Sequence, residues 1–126
     1  MQVYFDNAAT TALDKEVIEV MVQMLNENFG NPSSIHAHGR EMKTIVEKAR
    51  RSVAKLLNAS PSEIFFTSGG TEADNMAIVR AIEAYNITHA ISSPLEHHAV
   101  LHTLEELEKA GKIHLDLLRV DSKGNV

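Results

Sequence analysis

The sequence predicts an α/β fold, and three observations predict it. From residue 64 onward short β-prone runs alternate with helical stretches, a Gly-Gly pair sits where the first run turns into a helix, and two amphipathic helices precede the alternation. Strand, helix, strand, helix, strand is the βαβ rhythm, which calls for parallel strands joined by crossovers.

In chain order, Val3-Tyr4-Phe5 is a short β-prone run closed by the turn pair Asp6-Asn7. Asp14 is placed to cap a helix whose apolar face is Val17, Ile18, Met21, Met24 and Leu25, and Gly30 with Asn31-Pro32 stops it. A second helix is expected from about Gly39 to Leu57. Its stripe is Met42, Ile45, Val46, Ala49, Val53 and Leu56, with Lys and Arg on the other face, and Asn58-Ala59-Ser60-Pro61 ends it. Ile64-Phe65-Phe66-Thr67 reads as a buried strand. It leads through Ser68-Gly69-Gly70-Thr71-Glu72 into a helix carrying Ala77, Ile78, Ala81, Ile82 and Tyr85. Ala90-Ile91-Ser92 is a second strand. Val100, Leu101, Leu104 and Leu107 mark a helix that stops at Gly111, and residues 113–120 hold a third strand before the turn at Asp121-Ser122-Lys123-Gly124. A three-stranded parallel sheet of this kind leaves edges uncovered, and the last residues form a turn, so the chain reads as the front part of a larger protein.

The composition narrows the function classes. The 126 residues carry 12 Lys+Arg against 17 Asp+Glu, a net charge of −5, which argues against a nucleic-acid binder. With no Cys, the chain itself has no disulfide, thiolate metal site or cysteine nucleophile. No apolar run reaches the roughly 18 residues of a membrane span, and the N-terminus lacks the basic start and long apolar stretch of a signal peptide. A cytoplasmic protein is the expectation.

Four segments could carry chemistry. At Phe66-Thr67-Ser68-Gly69-Gly70-Thr71-Glu72 the paired glycines let backbone approach a ligand, and the helix N-terminus favours an anion such as phosphate. The same residues also make sense as a tight turn with Ser68 or Thr71 as a cap. At Glu96-His97-His98-Ala99-Val100 an imidazole follows a strand end, where ligands collect in parallel α/β sheets; it can stack on a flat ring, move a proton or cap a helix. His98 and His102, at i and i+4, offer only two donors with no nearby acidic ligand or Cys, so no metal site is expected there. The loop from Asn31 to Gly39 contains His36-x-His38 but has the composition of a turn with capping residues. Asp6-Asn7-Ala8-Ala9-Thr10-Thr11 has side chains small enough to lie close against a ligand or a neighbouring domain.

Taken in order, Tyr4-Phe5-Asp6-Asn7-Ala8-Ala9-Thr10-Thr11, Phe29-Gly30-Asn31-Pro32-Ser33-Ser34, Phe66-Thr67-Ser68-Gly69-Gly70-Thr71-Glu72-Ala73-Asp74-Asn75 and Glu96-His97-His98-Ala99-Val100-Leu101 resemble the cysteine desulfurases. These are pyridoxal-phosphate enzymes of the class V aminotransferase group. The resemblance implies an aspartate-aminotransferase-like fold, present here in part: an N-terminal arm and helices over residues 1–60, and the start of the large cofactor-binding domain over 61–126. It implies pyridoxal 5'-phosphate as cofactor, with Gly70 and Thr71 on its phosphate and His97 stacked on its ring and assisting proton transfer. It also implies L-cysteine as substrate, a homodimer, and a sulfur-acceptor or scaffold protein as partner. The reaction implied yields L-alanine and an enzyme persulfide. The Schiff-base lysine, the acidic partner of the pyridinium nitrogen and the sulfur-accepting cysteine have no match in these residues, so the 126 residues alone are expected to be inactive. A selenocysteine lyase or a class V transaminase keeps the fold and changes the reaction. A non-catalytic phosphate-binding module is the reading from a different class.

Overall fold

The computed structural model describes residues 1–126, which divide into two compact units, Met1–Ile64 and Phe65–Val126.

The first unit holds two helices and a short 3₁₀ turn. Helix α1, Lys15–Glu27, starts where Asp14 Oδ1 accepts from the Glu16 N–H at 2.9 Å, the cap read from the sequence. No residue of α1 is buried, so the Val17, Ile18, Met21 and Leu25 stripe lies open. Helix α2, Ala37–Leu56, begins two residues earlier than its apolar stripe suggests. His36 is its cap, with ring Nδ1 accepting from the Gly39 N–H at 3.3 Å. The helix ends on Asn58 in the left-handed region at φ 52°; the Ala59 N–H reaches back to the Ala54 carbonyl at 2.9 Å and the Asn58 N–H to that of Lys55 at 3.3 Å. Ser60 and Glu63 cap the 3₁₀ turn Pro61–Glu63 reciprocally, and the Arg50 guanidinium donates to the Ile64 carbonyl.

Two glycines in this unit are required by contact, since neither has a positive φ. A Cβ on Gly30 would lie 2.4 Å from the His38 carbonyl oxygen, and one on Gly39 would lie 2.3 Å from that of Ser34 and 2.7 Å from that of Asn31. Asn31 shapes the loop they meet, its side chain accepting from the Ser33 N–H and its carbonyl from the Ser34 N–H, both at 2.9 Å. Gly39→Ala gains roughly 1 kcal/mol of helix propensity but forces a Cβ against fixed backbone. It is expected to lower stability by about 1–3 kcal/mol in denaturant melts of the full-length protein. Lys43→Ala, on an exposed position of the same helix, is expected to shift it by less than about 0.5 kcal/mol.

The second unit is a βαβ unit with one more helix laid against it. Helix α3, Gly70–Tyr85, ends on Asn86 at φ 51°; strand β1, His89–Ser92, follows; helix α4, His98–Lys109, ends on Gly111 at φ 69°; and strand β2 is His114–Leu117. The strands pair in parallel, His89 opposite His114 and Ile91 opposite Asp116, with α4 as the crossover. One face of the pair turns its side chains to the helices. There Ile82, Leu104, Leu107, Ile113 and Leu115 form the core, flanked by Ile78, Val79, Ile87, Ala90 and Val100.

One expected strand, residues 64–67, is absent. Residues 3–5 and 64–67 form no ladder, and Phe5, Phe65 and Phe66 are largely exposed. Ile64 does have extended backbone, at φ −99° and ψ 121°. A β-prone run becomes a strand only when a neighbour supplies its hydrogen bonds, and the one ladder present joins β1 to β2. The third expected strand, residues 113–120, forms only over His114–Leu117.

Candidate active site

The site is built at the N-terminal turns of α3 and α4. Gly69 precedes α3 with extended backbone, and no side chain caps the helix, which sets aside the reading of Ser68 or Thr71 as a cap. The first intrahelical bond is from the Ala73 N–H to the Gly69 carbonyl at 3.2 Å, so the N–H groups of Gly70, Thr71 and Glu72 point out of the helix end. A Cβ placed on Gly69 or Gly70 would meet no atom within 4 Å. That is an open cradle at the positive end of a 16-residue helix.

The one carboxylate near this end is drawn aside. Glu72 Oε2 accepts from the Ser68 N–H at 2.6 Å and from its hydroxyl at 2.7 Å. These bonds, the backbone one first, hold the Glu72 carboxyl below the usual carboxylate range. Because the folded form favours the ionised group, the contribution is present above the unfolded carboxylate pKa and is lost as pH falls through the lowered folded value. Ser68→Ala is expected to raise the Glu72 midpoint toward the usual range, read by a carboxyl NMR titration.

Thr71, Asn75, His97, His98, Ala99, His102 and Thr103 line one cavity of about 220 Å³. The structure therefore brings Thr71 and His97, residues of two separate motifs, to the same opening. Asn75 makes a polar link between the two helices. With its amide nitrogen toward the helix carbonyls it donates to Ala99 O at 2.8 Å and Thr71 O at 3.2 Å, and it also contacts the Thr103 hydroxyl. Sequence reasoning gave Asn75 no role, since its position in the first turns of α3 implies nothing about α4.

His97 is the N-cap of α4, with Nδ1 accepting from the Ala99 N–H at 3.1 Å. That bond fixes the tautomer: the neutral ring carries its proton on Nε2, the nitrogen that the cap leaves free. The cap thus orients the imidazole. His98 and His102 stack along α4, ring centroids 4.8 Å apart and planes at 28°.

The remaining candidates are more ordinary. His36 serves as a helix cap and His38 lies against Phe29, with ring centroids 5.0 Å apart. Asp6 closes a turn, its carbonyl accepting from the Ala9 N–H at 3.1 Å and the Thr10 N–H at 3.3 Å. Sequence reasoning missed a further cluster, His89, His114 and Asp116, whose members meet only through the β1–β2 register.

Comparison with known proteins identifies the family. The aminotransferase class-V family model matches residues 3–126. The cysteine desulfurase IscS of Dictyoglomus turgidum is 51% identical over 127 aligned positions, covering 99% of this chain and 32% of that protein. The putative cysteine desulfurase IscS 1 of Bacillus subtilis is 46% identical over 99% of this chain and 33% of its own length. Among solved structures, a NifS-like protein superposes with a TM-score of 0.86 at 44% identity, over 98% of this chain and 34% of that one. SspA in complex with cysteine gives 0.82 at 36% identity, over 94% and 34%. The chain spans about a third of the length of these relatives.

Proposed function

The chain belongs to the class-V aminotransferase family, and from that premise we propose that it is the N-terminal part of a pyridoxal-phosphate-dependent cysteine desulfurase. The observation that carries the reading is the meeting, on one cavity, of an uncapped α3 N-terminus at Gly70 and Thr71 with an imidazole oriented by its own cap at His97. The relatives named as cysteine desulfurases, and one solved with cysteine bound, support the choice of substrate. Residues 1–60 then serve as the arm and first helices, and residues 61–126 open the cofactor-binding domain.

The donor set suits the cofactor. Its phosphate carries the charge that the outward N–H groups of Gly70 and Thr71 favour, the Thr71 hydroxyl adds a donor, and the missing Cβ atoms leave room for close approach. When bound, pyridoxal phosphate supplies an electron sink for breaking bonds at the substrate's α- and β-carbons. His97 would stack on the cofactor ring, with the proton on Nε2, the nitrogen its cap leaves free for proton transfer. Asn75 fixes the spacing between the phosphate-binding turn and the His97-bearing turn. The sequence has no Cys, so the thiol that takes up sulfur, like the lysine that anchors the cofactor, belongs to other parts of the enzyme. The reading includes a cytoplasmic homodimer that passes sulfur to an acceptor or scaffold protein, and the open apolar face of α1 is available for packing within such an assembly.

The test is turnover by the full-length protein. Cofactor absorbance in the visible, with alanine and sulfide released from cysteine, supports the proposal. Preference for selenocysteine, or for an amino-acid and keto-acid pair, moves the assignment to a lyase or a transaminase on the same fold. A colourless protein that binds phosphate and turns over none of these overturns it.

A further inference from the structure

We propose that His89, His114 and Asp116 form a site for a divalent transition-metal ion of the zinc type, on the face of the β1–β2 pair that turns away from α3 and α4. The site shares no residue with the cavity above and does not depend on the proposed desulfurase activity.

The strand register builds it. His89 and His114 are direct neighbours across the parallel pair, and Asp116 lies two residues beyond His114 on the same face. Leu115, between them, points into the core, so the alternation of the strand fixes the outward direction of the other two. The donor atoms all lie within 4.8 Å of one another. His89 Nε2 is 2.8 Å from Asp116 Oδ2, and His114 Nε2 is 3.4 Å from Asp116 Oδ1. Ligands at about 2.0–2.1 Å from a tetrahedral zinc stand about 3.3 Å from each other, and the His114–Asp116 pair is already near that separation. His89 meets the other carboxylate oxygen, so a turn of its half-exposed ring toward the shared oxygen completes the set.

The surroundings fit a ligand set better than a chance meeting of polar side chains. His114 turns its other ring nitrogen, Nδ1, toward Glu108 Oε1 at 3.6 Å, in ion-pair range. That carboxylate oxygen is itself held by the Leu115 N–H at 2.7 Å. A carboxylate on the far side of the imidazole is the outer partner that metal-binding histidines commonly have. His89 now shares its Nε2 proton with Asp116. On binding, that proton moves to Nδ1 as the neutral tautomer exchanges, and the ion takes its place between ring and carboxylate. Two imidazoles and one carboxylate leave the fourth position of a tetrahedral ion open to water or to an outside donor. The pattern is poorly legible in sequence because His89 and His114 are far apart along the chain.

Equilibrium dialysis of the full-length protein against micromolar zinc, followed by metal analysis, tests the site. The wild type is expected to retain one zinc at this site. His114→Ala and Asp116→Asn lose it, and Glu108→Gln weakens it by about 10- to 100-fold. His98→Ala and His102→Ala retain it, which separates this site from the other histidine pair. The side chains of His89, Asp116 and His114 are 50%, 58% and 71% exposed, so these substitutions leave the fold intact, checked by circular dichroism. A wild type that retains no zinc overturns the proposal. So does zinc that survives Asp116→Asn and His114→Ala but leaves with His98→Ala.

Discussion

Replacing His97 with Ala in the full-length protein is expected to slow alanine release from cysteine by about 10²–10⁴-fold, the usual range for removing a positioned acid–base group. The substitution also deletes the α4 cap, which by itself costs roughly 0.5–2 kcal/mol of stability. His97→Asn separates the two losses. An Asn side chain accepts the Ala99 N–H as well as the imidazole does, so the helix keeps its cap and its melting temperature. It has no aromatic face and no proton to move near pH 7. On the proposed reading the Asn variant is as slow as the Ala variant while remaining as stable as the wild type. If Asn restores the rate together with the stability, His97 is a cap alone, and the chemistry assigned to its Nε2 belongs elsewhere.

What could be read in advance divides along physical lines. Helix α1 and the stop at Gly111 are legible because their determinants are local: an Asp three residues before an apolar period, and a glycine where the backbone turns left-handed. The start of α2 lies two residues ahead of its apolar stripe because its cap is a histidine, and nothing in the spacing of His36 distinguishes that role from a ligand's. Residues 64–67 have the side chains of a strand, but pairing is a property of the neighbour, and the one sheet present joins β1 to β2 without them. Gly30 and Gly39 look like ordinary loop and helix-start glycines. Their need for a missing Cβ comes from carbonyls that only the folded loop brings close. The same division holds at the site. The α3 N-terminus could be anticipated from Gly69-Gly70, whereas the Asn75 link to Ala99 and the sharing of one cavity by Thr71 and His97 required the packing of α3 on α4.

Gly70→Val is expected to weaken pyridoxal-phosphate retention by about 10- to 100-fold, equivalent to about 1.4–2.7 kcal/mol, with little change in the stability of the fold. The asymmetry follows from what surrounds the residue. A Cβ there meets nothing within 4 Å of protein, and valine is a better helix residue than glycine. The space it takes is the space through which a phosphate would approach the outward N–H groups of α3. Gly111→Ala supplies the opposite pattern. Its Cβ also meets no atom, yet φ of 69° places an L-residue in the left-handed region at a cost of roughly 1–2 kcal/mol. That variant is expected to melt earlier and keep its cofactor. Dialysis of the coloured full-length protein, with thermal melts of the same samples, reads both quantities. If Gly70→Val keeps its visible absorbance, the Gly69-Gly70 pair is a turn between a loop and a helix, and the α3 N-terminus is not where the phosphate is held.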